Sequence, residues 1–295
     1  MSAIIIDGKA IAAQVKAEVK VQSERLQRER GITPGLAFIL VGDNPASQVY
    51  VHSKGKTCEE MGFYSVTEKL PTETTESQLL LLIDKFNHDS RIHGILVQLP
   101  LPAHIHENKI LEAIDYRKDV DGFHPINVGR LVIGEKCLRP CTPAGVQELL
   151  IRSGNDPDGK HVVVVGRSNI VGKPVLNILL QKQKGANAVV TVAHTGADDI
   201  SRFTRQADIL VAAIGKPEAI TGEMLKPGCV VIDVGINRIA DASEKNGHRI
   251  VGDVHFASAV KVAKAITPVP GGVGQMTIAM LMKNTLLAAE GRLYG

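Results

Sequence analysis

The sequence predicts an α/β protein of two doubly wound domains, the second a Rossmann-like dinucleotide-binding domain, with a cleft between them. Three observations lead to this prediction. Short apolar segments alternate with segments of helical period, first over residues 4–114 and again over 143–290. An irregular connector, from Asp119 to about Pro143, separates the two series. Aromatic residues make up only 3% of the 295 residues, so the core must be aliphatic, as in buried parallel sheets.

The composition argues against several other classes of protein. A net charge of +3, without Lys and Arg clusters interleaved with aromatic residues, does not suggest nucleic-acid binding. The four cysteines match no zinc pattern, which predicts reduced thiols and no metal site. No apolar run reaches membrane-spanning length, and no secretory signal opens the sequence. We therefore expect a cytoplasmic protein that binds neither nucleic acid nor membrane.

The first series of elements predicts a mainly parallel sheet. Strands are expected at 4–6, 36–41, near Val66 and at 92–97, and helices at 9–30, 47–61, 75–86 and 107–114. Ligands of such sheets bind beyond the carboxyl ends of the strands. Gly42 and Gln98 follow strand ends, so both are expected on the ligand side.

The second series predicts another doubly wound sheet. It opens with a helix at 143–153, capped by Thr142, and ends with a long apolar helix at 276–290. Strands are expected between them at 162–165, 189–192, 209–212, 230–233 and 265–267. We assign residues 1–122 to a catalytic domain and 123–295 to a nucleotide-binding domain, with the last helix, 276–295, packing back on the catalytic domain.

A glycine turn follows the first strand of the second series. Gly166 can form a tight turn, and Gly172 allows the next helix to pack close to the sheet. Backbone N–H groups at the start of that helix can hold a pyrophosphate. Ser168 replaces the middle glycine of the usual G-x-G-x-x-G pattern. Taken alone, the turn is equally compatible with an ordinary strand–helix connection.

The next strand bears on the choice of cofactor. Enzymes that use NAD usually carry Asp or Glu at its end, whereas here His194 and Thr195 stand there. Arg167 and Lys173 are nearby cations. This combination favours the 2′-phosphate of NADP over NAD. The alternative is that Arg167 only caps the turn or forms a surface ion pair.

One helix of the first series carries a candidate proton-transfer pair. Tyr50 and Lys54 are four residues apart and share a helix face, whereas Lys56 points elsewhere. An amine beside a tyrosine in a cleft can transfer protons. A solvated helix face is the simpler alternative. Short-chain dehydrogenases also use Tyr and Lys at this spacing, but there the nucleotide turn precedes the pair, whereas Gly166 follows it.

Seven segments together resemble the bifunctional methylenetetrahydrofolate dehydrogenase / methenyltetrahydrofolate cyclohydrolase family. They occur in order along nearly the whole chain: YVHSKGK (50–56), GILVQLPLP (94–102), DVDGFHPINVGRL (119–131), PCTPAG (140–145), VVVGRSNIVGKP (163–174), VIDVGIN (231–237) and PVPGGVGQMT (268–277). The resemblance implies NADP-dependent oxidation of 5,10-methylenetetrahydrofolate and hydrolysis of the methenyl product to 10-formyltetrahydrofolate.

The resemblance also implies roles for individual residues. Lys54 is the central group of the hydrolysis, and Gln98 hydrogen-bonds to it and helps to set its protonation state. Tyr50 flanks the folate, and Asp121 accepts hydrogen bonds from the pterin N–H groups. Asp119 is interpreted as a connector residue. The hydride step needs orientation against the nicotinamide and no general base.

Further binding residues follow from the same resemblance. The cofactor set comprises Gly166, Arg167, Ser168, Ile170, Gly172, His194, Thr195 and Ile236. The substrate set adds Val51, Leu99, Pro100, Pro268, Gly271 and Gly272 to the residues named above. A cis peptide is plausible in the loop that begins at Pro268. A homodimer through the nucleotide domain is also implied. The sequence departs from the family pattern at Thr195 and at Gln275, where proline is usual.

Overall fold

The chain folds into two compact units. A computed structural model describes residues 2–241, 243–244 and 247–294. Residues 1–13 and 142–277 form what we call the six-strand unit, and residues 14–141 and 278–295 form the three-strand unit. This division differs from the predicted boundary at residue 122 in two respects. The connector up to Cys141 belongs to the three-strand unit, and the first residues of the chain belong to the six-strand unit.

Strands and helices alternate along the chain. The first part contains β1 (Ile4–Ile5), α1 (Gly8–Arg30), β2 (Gly35–Val41), α2 (Pro45–Glu60), β3 (Tyr64–Leu70), α3 (Glu76–His88), β4 (Gly94–Val97), α4 (Glu107–Ala113) and α5 (Pro125–Ile133). The second part contains α6 (Cys141–Arg152), β5 (His161–Val165), α7 (Gly172–Leu179), β6 (Val189–Ala193), α8 (Ser201–Thr204), β7 (Ile209–Ala212), β8 (Val230–Asp233), β9 (Asn237–Ala240), β10 (His248–Val251), α9 (Phe256–Ala259), β11 (Ala265–Ile266) and α10 (Val273–Glu290).

The three-strand unit is built on a parallel sheet of order β3-β2-β4. The central strand β2 is buried along its whole length, and α3 covers it with Leu79, Ile83 and Phe86. Helix α3 begins with a reciprocal capping box between Thr75 and Gln78, which satisfies donors that the first helical turn leaves free. The strand order changes direction between β2 and β4, so the carboxyl ends of these two strands form the expected ligand position.

The six-strand unit contains a parallel sheet of order β1-β11-β8-β7-β5-β6. Its core is aliphatic, as the composition predicts, with Val163 and Val165 of β5, Leu210 of β7 and Val231 of β8 in one buried cluster. From β5 onwards the order is 2-1-3-4-5, a common doubly wound arrangement. Its strand order reverses between β5 and β7, and a ligand is expected beyond their carboxyl ends.

Four features differ from the sequence-based expectations. The first strand, β1, pairs with β11 and so belongs to the second sheet. Helix α5 lies in the supposed connector, where His124 caps it through a ring nitrogen that accepts the Ile126 N–H at 3.1 Å. Histidine is not among the usual capping residues, which explains why the start was missed. Thr142 lies inside α6 and does not cap it. The antiparallel pair β9–β10 was also missed.

Three general observations complete the description. No helix among the residues that the structure describes is long and apolar enough to cross a membrane. Within those same ranges, no group of three or more His, Cys, Asp or Glu side chains is placed to hold a metal ion. All four cysteines are buried and free.

Candidate active site

The side-chain nitrogen of Lys54 lies beside the amide of Gln98 in the three-strand unit. Lys54 Nζ donates to Gln98 Oε1 at 3.1 Å, and the lysine is only 9% exposed. Helix α2 carries Lys54 and starts with Asn44, whose Oδ1 accepts the Ser47 N–H at 3.1 Å. Lys56 points to solvent and lies 3.9 Å from Glu60. The hydrogen bond that the resemblance implies is thus present, and the two lysines have different environments.

Gln98 occupies the position beyond the carboxyl end of β4. Its backbone N–H donates to Ile39 O at 2.8 Å, which continues the pairing with β2. Its side-chain Nε2 donates to Leu99 O at 2.7 Å, and this bond turns Oε1 towards Lys54. The Leu99–Pro100 peptide is cis. The amide is therefore oriented by the local chain, with its acceptor oxygen fixed on the lysine.

The other predicted residues of α2 differ in accessibility. Tyr50 is 49% exposed and is free to contact a ligand through its ring. Val51 is 2% exposed, so its side chain belongs to the core and offers no accessible contact surface. Leu99 is half-buried and Pro100 is exposed.

Asp121 lies in the loop that runs beside β4. Asp119 forms a parallel bridge with Ile95, which places the following residues next to the carboxyl end of that strand. Burial raises the pKa of the Asp121 carboxyl to about 6. The Lys54 ammonium opposes this rise in pKa, and the Asp119 carboxylate adds to it. Lys54 and Gln98 are thus hydrogen-bonded at the predicted ligand position, and Asp121 is near enough for the charge of Lys54 to affect its pKa.

A buried network around Asp119 determines the path of this loop. Asp119 Oδ1 accepts the Gly122 N–H at 3.1 Å, and Oδ2 accepts the His124 N–H at 2.8 Å and Asn127 Nδ2 at 2.9 Å. Tyr294 Oη donates to Asn127 Oδ1 at 2.5 Å. Burial raises the pKa of Asp119, and these donors oppose the rise. Asp119 is therefore more than the connector residue that the sequence suggested, since its contacts hold the loop that carries Asp121.

The last helix contributes a second support for the same loop. Asn284 Nδ2 of α10 donates to Val120 O and to Arg139 O, both at 2.8 Å. Asn284 is 3% exposed. Sequence reasoning missed this residue, because Lys283 and Thr285 flank it and the three together resemble a polar, solvent-facing stretch of the helix.

In the six-strand unit, the glycine turn lies between β5 and α7. Gly166 has φ +127°, and a Cβ atom there would lie 2.1 Å from Ala213 O, so no other residue fits. A Cβ atom on Gly172 would lie 2.2 Å from Gly166 O, which accounts for the close approach of the helix to the turn. Ser168 Oγ accepts the N–H groups of Val171 at 3.1 Å and Gly172 at 3.3 Å, and its hydroxyl proton remains available.

Arg167 and His194 lie just beyond the carboxyl ends of the neighbouring strands β5 and β6. Arg167 Nη1 is 3.4 Å from His194 Nε2, and His194 Nδ1 accepts the Gly196 N–H at 3.0 Å. In the tautomer whose Nδ1 accepts the Gly196 N–H, the other ring nitrogen, Nε2, is a donor beside Arg167. Thr195 beside them is exposed. Donors placed side by side in this way are suited to an anionic oxygen.

The remaining predicted residues also lie in the six-strand unit. Ile170 and Ile236 are 48% and 52% exposed, so both offer apolar contact surface. The loop that begins at Pro268 contains three glycines and ends near Gly274. A Cβ atom on Gly274 would be 3.4 Å from Ile236 Cδ1, which places this loop next to the segment that follows β8. In that loop Pro268 and Gly271 are half-buried and Gly272 is buried. The Val269–Pro270 peptide is cis.

Two domain models of one family match the two halves of the chain. The family described as tetrahydrofolate dehydrogenase/cyclohydrolase, catalytic domain, matches residues 6–121. The NAD(P)-binding domain of the same family matches residues 140–293. The "Bifunctional protein FolD" of Moorella thermoacetica is 59% identical over 290 residues, 98% of this chain and 100% of that protein. Its counterpart in Syntrophobacter fumaroxidans is 56% identical over 291 residues, 98% of both chains.

Solved structures show the same fold. The bifunctional FolD methylenetetrahydrofolate dehydrogenase/cyclohydrolase of Campylobacter jejuni has a TM-score of 0.92 and 50% identity, over 99% of this chain and 100% of that chain. The methylenetetrahydrofolate dehydrogenase-cyclohydrolase of Trypanosoma brucei, complexed with NADP cofactor and inhibitor, has a TM-score of 0.92 and 41% identity over 100% of both chains. With both domain matches and these identities, the chain belongs to the tetrahydrofolate dehydrogenase/cyclohydrolase family.

Proposed function

We propose that the protein oxidises 5,10-methylenetetrahydrofolate with NADP and hydrolyses the resulting methenyl cation to 10-formyltetrahydrofolate. Family membership supports both activities. The observation that carries the residue-level proposal is the buried Lys54 amine, held 3.1 Å from an oriented amide oxygen at the switch point of a parallel sheet. The folate would bind to the three-strand unit against Tyr50 and Asp121.

In the hydrolysis, Lys54 would move the protons. Water adds to the methenyl carbon, and the Lys54 amine takes a proton from the attacking oxygen. The amine then delivers a proton to N5 of the folate as the bond between N5 and the former methenyl carbon breaks, and the second water proton leaves to solvent. A neutral amine suits this task because an ammonium would repel the cationic substrate. Gln98 Oε1 holds the amine in place through its hydrogen bond.

For the oxidation, the chain's own residues position the reactants. NADP, when bound, accepts the hydride from the methylene carbon. No general base is needed, because the product cation is delocalised over N–C–N. The Asp121 carboxylate would fix the pterin through its N–H groups, and Tyr50 would limit the movement of the ring.

The residues of the six-strand unit fit the NADP molecule. The turn at Gly166 leads into α7, whose first N–H groups could hold a pyrophosphate, and the Ser168 hydroxyl can donate to it. Arg167 and His194 present adjacent donors and no carboxylate, which suits a 2′-phosphate. Ile170, Thr195 and Ile236 would complete the cofactor contacts. Leu99, Pro100 and the loop with Pro268, Gly271 and Gly272 would border the folate.

A direct assay tests this function. The purified protein is given methylenetetrahydrofolate with NADP or with NAD, and reduced cofactor and formyltetrahydrofolate are measured side by side. We expect both products, with NADP giving the higher kcat/KM. If neither product forms with either cofactor, the proposed function is wrong.

The homodimer and the cytoplasmic location also belong to this proposal. β6 is an edge strand of its sheet, and Val189 is 66% exposed, so an apolar edge is available to a second copy. Four buried free thiols agree with a reducing compartment. Light scattering at several protein concentrations tests the dimer: a mass of one chain at all of them contradicts it.

A further inference from the structure

Asp253 is a buried carboxylate that accepts four hydrogen bonds in the six-strand unit. The residue is 0% exposed. Its Oδ2 accepts the N–H groups of Ile214 at 2.6 Å and Gly215 at 2.9 Å. Its Oδ1 accepts the N–H of Lys216 at 3.0 Å and Asn237 Nδ2 at 2.9 Å. Three consecutive backbone donors of one loop therefore point at a single side chain.

The loop that Asp253 holds lies at the switch point of the sheet. It directly follows β7, and β7 is the neighbour of β5 on the side where the strand order reverses. The preceding residue, Ala213, places its carbonyl oxygen so close to the turn that a Cβ atom on Gly166 would be 2.1 Å away. Loop 214–216 and the glycine turn thus lie side by side at the position where doubly wound sheets bind their ligands.

A second carboxylate holds Asp253 itself. Asp233 Oδ1 accepts the N–H groups of Gly235 at 2.9 Å and Asp253 at 3.0 Å, and Oδ2 accepts the Val254 N–H at 2.9 Å. The contact is close: a Cβ atom on Gly252 would lie 1.9 Å from Asp233 Oδ2. The two carboxylates therefore tie together the loop after β7, the start of the loop after β8 and the segment after β10.

Folding of the core alone does not require that a buried carboxyl group hold loop 214–216. A loop at the carboxyl end of a strand can satisfy its N–H groups with water, and burying a polar carboxyl group to hold it costs desolvation free energy. Such a cost is understandable where the loop must keep one shape for a ligand. Asn237 extends the network towards Ile236, the exposed apolar residue assigned to the cofactor set.

We infer that Asp253 is a positioning residue for NADP: by fixing loop 214–216 and Asn237, it shapes the cofactor side of the switch point. This inference rests on the proposed function. Asp253 does not contact the reacting atoms, and it acts through the backbone that it holds. The hydrolysis, which uses no cofactor, does not depend on it.

The variant Asp253→Asn tests the inference. Its Nδ2 group places N–H donors against the backbone N–H groups, so the loop cannot keep its shape. We expect the Kd for NADP, measured by titration calorimetry, to rise at least about tenfold. The kcat/KM for NADP in the oxidation should fall by a comparable factor. The rate of hydrolysis, measured on the methenyl substrate without NADP, should stay within about twofold of the wild type.

Two further variants keep the test decisive. Asn237→Ala removes one of the four hydrogen bonds to Asp253. It should also raise the Kd for NADP, by a smaller factor than Asp253→Asn. This variant decides the question if Asp253→Asn cannot be recovered folded. Asp208→Asn is the control: this carboxylate accepts the His161 N–H at 3.0 Å at the amino ends of β5 and β7, away from the switch point, and its loss should leave the Kd for NADP unchanged.

The outcomes separate the inference from the proposed function. An unchanged Kd for NADP in both Asp253→Asn and Asn237→Ala overturns the inference, and so does an equal loss of oxidation and hydrolysis. A wild-type protein that oxidises no methylenetetrahydrofolate instead contradicts the proposed function, whatever the variants do.

Discussion

Lys54 and Lys56 lie two positions apart on α2, and only Lys54 is buried and bonded to an amide oxygen. Replacing Lys54 by Met keeps the length of the side chain and removes the amine that would transfer protons. We expect Lys54→Met to lose hydrolysis by at least about a hundredfold, the usual contribution of a general acid–base group. The Kd for NADP should not change, because the cofactor set lies in the other unit.

Lys56→Met is the control for this prediction, since it makes the same substitution on an exposed face of the same helix. Both variants are assayed for conversion of the methenyl substrate, and their folding is compared by circular dichroism. Substantial hydrolysis by Lys54→Met would remove the amine from the mechanism. A loss in Lys56→Met equal to that in Lys54→Met would assign the effect to the helix.

The Asp121 carboxyl should make folate binding depend on pH. Its pKa of about 6 lies above the ordinary 3.8, so the group is ionised only above about pH 6. The folded state binds this proton more tightly than the unfolded state does, so protonation of Asp121 stabilises the fold. This stabilisation is fully present below about pH 4 and is lost as the pH rises through about 6. The carboxylate form is the one that accepts pterin N–H groups. We therefore expect the KM for the folate to rise as the pH falls through 6.

The pH profile of the KM between pH 5 and 8 checks this expectation. Asp121→Asn should show a raised KM with no step near pH 6, since an amide does not titrate. Aspartate 115 offers a control: the Arg117 guanidinium lowers the pKa of Asp115, so Asp115→Asn should keep the step. A step of the same size in Asp121→Asn would assign the titration to another group.

At the level of secondary structure elements, α10 supports the loop that carries Asp121, and it does so through Asn284. Its amide is the donor for two buried backbone carbonyls, those of Val120 and Arg139. Asn284→Leu has a similar volume and leaves both carbonyls without this donor. We expect the free energy of unfolding to fall by about 1–3 kcal/mol, because two carbonyls lose this donor and an amide is replaced at a buried position. The KM for the folate should rise as well, because Val120 precedes Asp121.

Chemical denaturation and hydrolysis kinetics measure the two effects. Asn177→Leu is the control, since this exposed amide donates only to Lys173 O of its own helix, at 2.9 Å. If Asn284→Leu changed stability as little as the control does, the helix would not support the loop in the way described.

The ends of β5 and β6 should determine the choice between NADP and NAD. Arg167 and His194 present adjacent donors there, and charge-assisted bonds to a phosphate are worth about 1.5–3 kcal/mol each. We therefore expect Arg167→Ala to raise the KM for NADP at least about tenfold and to leave the KM for NAD nearly unchanged. Lys184→Ala is the control, because that lysine is an exposed cation between α7 and β6 and is not among the assigned cofactor residues. Equal losses with both cofactors would exclude recognition of the 2′-phosphate by Arg167.

At the scale of the whole molecule, the alternation of elements and the positions of Gln98, Gly166 and Gly172 could be predicted from the sequence. Hydrophobic period and glycine turns are local signals, and both lie within a few residues of the features that they specify. The pairing of β1 with β11 could not be predicted, because two residues of strand carry no information about a partner 261 positions later.

The supports of the site were missed for a related reason. Asn284 and Asp253 act through bonds to distant backbone groups, up to 164 positions away for Asn284 and Val120. Asp119 bonds to nearer groups, the farthest of them 8 positions away at Asn127. Nothing in the neighbouring sequence tells such a residue from a turn or surface residue. Family resemblance points to groups at the ligand position, whereas the residues that hold those groups become visible only when the chain is folded.

The two ligands should protect different parts of the molecule, because the assigned cofactor residues and Lys54, Gln98 and Asp121 belong to separately packed units. Ligand binding to the native state lowers the population of locally open states, and at a hundred times the Kd it adds about 2.7 kcal/mol. We expect NADP to slow amide exchange over residues 166–172 and 213–216. Tetrahydrofolate should slow exchange over 98–101 and 119–123. Residues 226–230, at the amino end of β8 in the six-strand sheet, serve as the internal reference. Protection of 98–123 by NADP without any effect on 166–216 would contradict the assignment of the cofactor to the six-strand unit.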